Sequence, residues 1–391
     1  MTRVLTGLDR IASGDASVIA RIRGRRIGLV AHPASVDRRL VHARTILAAA
    51  GAKIAALFGP EHGFGGEAQD MAAVRGESAD GVPIHSLYGT TEAELSPTPA
   101  QLEGLDAIVV DLQDVGSRYY TFVWTAALVL RAAARAGIET IVLDRPNPLG
   151  GEILEGAPQR PGFRSFVGLY DVPVRHGLTI GEIAARTRVL EKLDDRSLSI
   201  VALRGWRRSM TFPETELPWV MPSPNMPTYE TARVYPGGCL LEGTLASEGR
   251  GTTRPFEIFG APWVDGNAIA RRVSPRGAVL RPLSFQPTFQ KHAGKTCGGV
   301  QVHVTDERTF RSYAAYLSIL DAMKRQAGEK FAWRSERYEF VSDRPAIDLL
   351  TGGPEAREAI DRGGGLDAIF ASDEAGVKAF AEARRPFLAY A

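Results

Sequence analysis

Carboxylates, guanidinium groups and glycines concentrate in a few short runs of this chain, and those runs are where chemistry could be done. Gly59-Pro60-Glu61-His62-Gly63 sets a glutamate between a proline and a glycine. A loop constrained in that way can present a carboxylate with little freedom, as catalysis requires; the plain alternative is a solvated loop acid or a helix cap. His62 could orient Glu61, touch a ligand or bond a loop carbonyl. Asp111 and Asp114 have a spacing that suits a metal or a general acid/base pair, or an acid that caps the next helix, and Arg118 could pair with one of them. Asp144-Arg145-Pro146-Asn147 and Arg175-His176-Gly177 read either as ligand-facing loops or as turn and capping scaffolds. Glu248-Gly249-Arg250-Gly251-Thr252 could bind an anion through backbone N–H groups, or be an exposed turn. His32, His42, His85, His292 and His303 show no ligand spacing such as HxH or HExxH.

Most of these runs follow segments that read as strands. Residues 27–31, 53–58, 82–86, 107–111 and 140–144 are rich in Val, Ile and Leu, and 197–203 is a sixth candidate. Helical spacing covers 40–51, 121–136 and 179–190, with Gly51 and Gly137 where helix-ending glycines belong. The alternation predicts an α/β fold: a Rossmann-like, mostly parallel sheet with helices on both faces. Ligands of such sheets bind beyond the carboxyl ends of the strands. The runs 59–67, 111–120 and 144–151 all fall there, so they are expected to line one shared site. The proline-dense stretch 213–227 cannot be helix or central strand, and its Trp219 and Asn225 favour an ordered loop at a site. The domain change is placed just after it. That gives a Rossmann-like domain over 1–235 and a smaller α+β domain over 236–391, with a strand at 301–305 and helices at 310–325 and 375–383.

Composition removes several function classes. The 391 residues suggest two domains at roughly 150 residues each. Lys+Arg is 47 against Asp+Glu 45, a net charge of +2, without the basic excess of a nucleic-acid binder. The two cysteines form no CxxC, which argues against structural zinc and fits a reducing compartment. No apolar stretch approaches the ~20 residues that span a bilayer. The first residues carry charges and no apolar run, so a cytoplasmic protein with no membrane partner is expected. The turn at 31–35 lacks GxGxxG, and neither GxxxxGK[ST] nor GxSxG occurs. Dinucleotide, P-loop and α/β-hydrolase readings therefore lose their main support. Neither a cofactor nor a metal is expected.

Long motifs in a fixed order carry a family resemblance. They are Leu57-Phe58-Gly59-Pro60-Glu61-His62-Gly63-Phe64, the run 111–121, the run 143–151, the run 175–182, Pro222-Ser223-Pro224-Asn225-Met226-Pro227-Thr228, Glu248-Gly249-Arg250-Gly251-Thr252-Thr253 and Gly260-Ala261-Pro262-Trp263. In these the chain resembles the DUF1343 family, the NamZ-type exo-β-N-acetylmuramidases of glycoside hydrolase family 171. The resemblance implies an active site in the cleft between the two domains. It also implies release of terminal N-acetylmuramic acid from the non-reducing ends of peptidoglycan fragments, with Glu61 as the favoured catalytic residue. The implied partner is a small carbohydrate, a muramic-acid-containing oligosaccharide or muropeptide.

Glycoside hydrolysis needs an acid for the leaving oxygen and help for an oxocarbenium-like transition state. The expected catalytic set is Glu61 as acid, His62, and Asp111, Asp114 or Glu182 as partner, unless the substrate's own acetamido group attacks. The expected substrate contacts are Arg118, Tyr120, Asp144, Arg145, Asn147, Arg175, His176, Asn225, Glu248, Arg250 and Thr252. Arg118, Arg145, Arg175 and Arg250 are candidates for the fork that would hold the lactyl carboxylate of muramic acid. Tyr119, Tyr120, Trp219 or Trp263 could stack on a sugar face. Two other readings are an amino-sugar-binding protein without catalysis and a metal-dependent hydrolase using Asp111, Asp114 and His62.

Overall fold

Isoleucine, valine and leucine dominate the segments that become the central strands, and burial on both faces follows from that composition. The computed structural model describes residues 3–73 and 77–391. Its larger sheet is built from β1 (Arg26–Ala31), β2 (Lys53–Gly59), β3 (Glu77–Ala79), β4 (Val82–Ser86), β5 (Ala107–Asp111), β6 (Glu139–Leu143) and β7 (Leu198–Val201). The spatial order is β3-β4-β2-β1-β5-β6-β7, parallel throughout except for the β3–β4 pair. Ile27, Leu29 and Ala31 of β1 face one apolar layer with Leu57, Val109 and Ile141. Val30 faces the other with Phe58, Ile108, Val110 and Val142. This alternation is the pleat of strands buried on both sides. Helices Gly7–Ala12 and Ala43–Ala49 cover the first face, and helices Phe122–Arg135 and Ile180–Leu190 cover the second. The expected fold class is present.

The chain builds outward from β1 through β2 on one side, then continues through β5 on the other. The carboxyl ends of β1 and β5 therefore flank the topological switch point, where ligands of such sheets bind. His32, fully buried at the end of β1, joins the walls of this crevice. Its Nε2 accepts from the Gln113 amide at 3.0 Å. Its Nδ1 then carries the proton donated to the Pro222 carbonyl at 3.1 Å. Burial pushes the ring's pKa down to about 3, so His32 is a neutral staple between the β5 loop and the proline-dense stretch.

The C-terminal part carries an antiparallel sheet, β8 (Ile258–Ala261), β9 (Ala278–Phe285) and β10 (Cys297–Val304), in the order β8-β10-β9. Pro282 hides β9 from a sequence reading, and the strand tolerates it because β9 lies at the sheet edge. Helix Ser312–Ala327 packs Tyr316, Leu317, Leu320 and Met323 into the same apolar cluster as Phe122 and Trp124 of the N-terminal part. One core thus runs through both parts. Residue 236, where the domain change was expected, lies within helix Tyr229–Gly238. Among the described residues, no helix is long and apolar enough to cross a membrane.

Candidate active site

Beyond β2 the chain turns back over Pro60–Gly63, closed by the Gly63 amide donating to the Pro60 carbonyl at 2.9 Å. His62 holds the third position of this turn with φ +73°, a left-handed conformation that normally calls for glycine. Gly59 has no room for a side chain, because a Cβ would strike the Phe64 amide nitrogen. The strained turn directs Glu61 inward, to 7% exposure. Oε2 of Glu61 accepts from the Thr121 hydroxyl at 2.7 Å, and Oε1 faces the Met71 amide at 3.5 Å. Thr121 precedes helix Phe122–Arg135, and its hydroxyl makes no capping bond. It serves Glu61 instead, at a helix N-terminus where negative charge is favoured. Nδ1 of His62 meets the Ala68 carbonyl at 2.8 Å; a carbonyl only accepts, so Nδ1 holds and donates the proton.

Five of the expected residues, Glu61, His62, Tyr120, Asn225 and Arg250, line one cavity. Asp70, Glu242 and Glu339 line it too, and sequence reasoning had not singled them out. The walls are aromatic: Tyr119, Phe122, Tyr235, Phe256 and Tyr338. The Tyr120 hydroxyl is buried there with no hydrogen-bond partner among the described residues. Both halves of the chain contribute. The free space is ≈ 40 Å³, far below the ~300–1,000 Å³ usual for small-molecule sites, so a ligand must displace something. A roomier, open groove of ≈ 620 Å³ lies elsewhere, lined by Arg272, Arg276, Arg308 and Arg311. It contains none of the strand-end runs and carries no argument about catalysis.

Arg250 is the cavity's one cation among the described lining residues. It projects from a loop in which Gly249 and Gly251 have φ +84° and +80°, and a Cβ on Gly249 would collide with the Ile258 carbonyl. Three carboxylates surround its guanidinium: Glu242 at 2.7 Å, Asp70 at 3.2 Å and Glu248 at 3.2 Å. Glu242 and Glu248 are nearly inaccessible, and Glu248 is shared with Lys291 at 2.9 Å. Burial opposes ionisation of Glu248, but Lys291 and Arg250 together hold its pKa below the usual carboxylate range. Asp70 is different. It comes from the loop that follows Glu61, at 13% side-chain exposure, and lies across Arg250 as a latch. Gln69 of the same loop is tied to Asn225 at 2.8 Å.

Glu339 stands among these acids with no cation within ion-pair distance among the described residues. Tyr88 donates its hydroxyl to Oε2 at 3.1 Å. Burial first, and then the Glu61 carboxylate, push the pKa of Glu339 well above the ordinary range.

The remaining expected residues lie outside this cavity and are engaged elsewhere. Asp111, fully buried, is clamped by Arg145 through both oxygens at 2.6 and 2.8 Å. Asp114 accepts the Gly116 amide at 2.7 Å and lies 3.3 Å from Nε2 of His176. Asp144 receives Thr179, Gly181 and Tyr390, and burial raises its pKa to about 6. Asn147 braces its own turn through Leu149 and Leu178. Arg118 is fully buried and directs Nη1 and Nη2 to the carbonyls of Ala157, Val172 and Leu350. Arg175 pairs with Glu155 at 3.2 Å. Glu182 forms a capping box with Thr179 and a 2.6 Å ion pair with Arg208. Thr252 bonds the Gly249 carbonyl. Asp111, Asp114 and His62 do not converge. Among the described residues no group of three or more His, Cys, Asp or Glu could hold a metal.

Buried acids of unlike environment around an aromatic-walled pocket, at the carboxyl edge of an α/β sheet, are the equipment of a carbohydrate-cleaving hydrolase. The chain belongs to the NamZ exo-β-N-acetylmuramidase family: the model of the family's N-terminal part matches residues 27–230, and that of its C-terminal part matches residues 233–390. It is 40% identical to the peptidoglycan β-N-acetylmuramidase NamZ of Bacillus subtilis (strain 168), over 99% of this chain and 92% of that protein. Two crystal structures of DUF1343 family proteins from Bacteroides fragilis NCTC 9343 share the fold. One has a TM-score of 0.87 at 30% identity, covering 100% of both chains. The other has a TM-score of 0.77 at 27% identity, covering 100% of this chain and 99% of that one.

Proposed function

We propose that this protein is an exo-acting β-N-acetylmuramidase that releases the terminal N-acetylmuramic acid from the non-reducing end of peptidoglycan fragments, with Glu61 as a catalytic carboxyl group. The observation that carries the reading is the cavity where Glu61 of the N-terminal part meets Arg250 and Glu339 of the C-terminal part, in a chain of this family. A pocket walled by aromatic rings on several sides accepts a chain end rather than the middle of a glycan strand, which suits exo-action. Tyr120 and Tyr235 offer ring faces and edges for a sugar.

Recognition of muramic acid falls to Arg250. The lactyl carboxylate distinguishes this sugar from N-acetylglucosamine, and a guanidinium matches a carboxylate bidentately. Arg118, Arg145 and Arg175 lie outside the cavity, where their guanidinium groups bond carbonyls or acids of the scaffold. On Arg250, Asp70 occupies the place that a substrate carboxylate would take, so binding exchanges one carboxylate for another and moves the Asp70 loop outward. That movement also opens the space the closed cavity lacks. Asn225, released from Gln69, gains a free amide for the sugar.

The test is incubation with the muramic-acid–glucosamine disaccharide, with products separated by mass. Free N-acetylmuramic acid and N-acetylglucosamine are expected from the wild type and not from Glu61→Gln with a wild-type melting curve. Intact disaccharide from the wild type, or near-normal turnover by the variant, would overturn the reading.

A further inference from the structure

We infer that Glu339 is the acid that protonates the leaving sugar, working with Glu61 as its ionised partner; this rests on the hydrolytic reading above and deepens it. The backbone is the first observation. The amide of Tyr338 donates to the carbonyl of Val341, and that of Val341 to the carbonyl of Tyr338, each at 2.9 Å. The two residues inside this tight hairpin, Glu339 and Phe340, have φ +44° and +69°. Turns of that shape are usually made of Asn-Gly or Asp-Gly. A glutamate followed by a phenylalanine persists there only because the surroundings hold it, and such strain gathers at working sites. The surroundings do hold it: the Tyr338 hydroxyl is bonded to Glu242 at 2.7 Å, and the Phe340 ring stands edge-on to Tyr88 at 5.7 Å.

The second observation is the environment of the carboxyl. Glu339 is 6% exposed and lines the cavity. Its single protein hydrogen bond among the described residues is the one Tyr88 donates to Oε2. Oε1 has no protein donor among the described residues, so a proton carried by this group belongs on Oε1. Glu61, in contrast, takes the Thr121 hydroxyl and sits by a helix N-terminus, donors that suit a carboxylate. Two carboxyls in settings this different are the arrangement that separates acid from base. Burial, Glu61, Glu242 and Asp70 favour the protonated form of Glu339, and the Tyr88 hydroxyl opposes them.

The bond from C1 of the muramic residue to the bridging oxygen breaks, and its electron pair stays on the oxygen. That oxygen takes the proton from Oε1 of Glu339. The positive centre developing at C1 is stabilised by the Glu61 carboxylate and closed by water, whose released proton passes to Glu61. Proton exchange with solvent then restores both groups.

The experiment compares the wild type, Glu339→Gln and Glu61→Gln on two substrates, the muramic-acid–glucosamine disaccharide and 4-nitrophenyl β-N-acetylmuraminide, across pH. Nitrophenolate leaves without a proton, so only the disaccharide needs the acid. Glu339→Gln is expected to lose about 10²–10⁴-fold in kcat/KM on the disaccharide and under about tenfold on the nitrophenyl substrate. Glu61→Gln is expected to lose activity on both. Wild-type rates on the disaccharide fall as pH rises through the pKa of Glu339; the nitrophenyl rates lack that limb. Equal losses on both substrates for Glu339→Gln, or a leaving-group-selective loss in Glu61→Gln, would overturn the assignment while leaving the hydrolytic reading intact. A wild type that cleaves neither substrate overturns both. Should Glu339→Gln not fold, the wild-type profiles decide: a basic limb on the disaccharide alone supports the assignment, and the same limb on both substrates contradicts it.

Discussion

Replacing Thr121 with valine removes one hydroxyl and alters little else. The side chain is 4% exposed, and its Oγ1 donates to Glu61 at 2.7 Å. The hydroxyl caps nothing, while the Thr121 carbonyl still receives the amides of Trp124 and Thr125, each at 2.9 Å. Valine keeps the branched shape, so the helix start and the core packing survive. A hydrogen bond to a charged group contributes about 1.5–3 kcal/mol. If that bond holds Glu61 in its working position, its loss appears as a fall in kcat/KM of about 10- to 150-fold. Initial rates on the muramic-acid–glucosamine disaccharide measure it, with Thr121→Ser as the control that retains the hydroxyl and stays within about threefold of wild type. A Thr121→Val enzyme as fast as Thr121→Ser would refute the claim that this bond positions Glu61 for the reaction.

Asp70→Ala removes the latch from Arg250, and the 3.2 Å ion pair is worth about 1 kcal/mol. Binding of N-acetylmuramic acid, followed by calorimetry, should tighten about fivefold, whereas a weaker complex would contradict the proposed exchange of carboxylates. Arg145→Met strands the fully buried Asp111, which should cost about 3–5 kcal/mol in urea unfolding. Adding Asp111→Leu should recover most of that loss; a cost below about 1 kcal/mol for the single variant would show that the pair is not structural.

The sheet was legible because its strands announce themselves by composition. Ile27-Gly28-Leu29-Val30-Ala31 and Ala107-Ile108-Val109-Val110-Asp111 are near-continuous apolar runs, the mark of parallel strands buried on both faces. Glu61 was legible for a related reason: Pro60 and Gly63 mark a tight turn at a strand end. Asp111, Asp114, Asp144 and Glu182 carry the same outward signs, but their partners come from distant positions. Asp111 is clamped by Arg145 and Glu182 by Arg208, and no local pattern reveals such pairs. Glu339 was missed for the opposite reason. It lies far along the chain between Tyr338 and Phe340, with none of the glycines that flag a left-handed turn. A lone acid flanked by two aromatic residues was the one available signal, since that setting points to burial. Asp70 gave no signal at all, because its role depends on a loop folding across to Arg250.

A complex of Glu61→Gln with the muramic-acid–glucosamine disaccharide, resolved crystallographically, tests the whole account at once. The terminal sugar should lie in the pocket with its lactyl carboxylate on Arg250 at about 2.7–2.9 Å, Asp70 displaced, and the bridging oxygen within hydrogen-bond reach of Glu339. A disaccharide seated away from Glu61 and Glu339, with Asp70 still latched on Arg250, would contradict it.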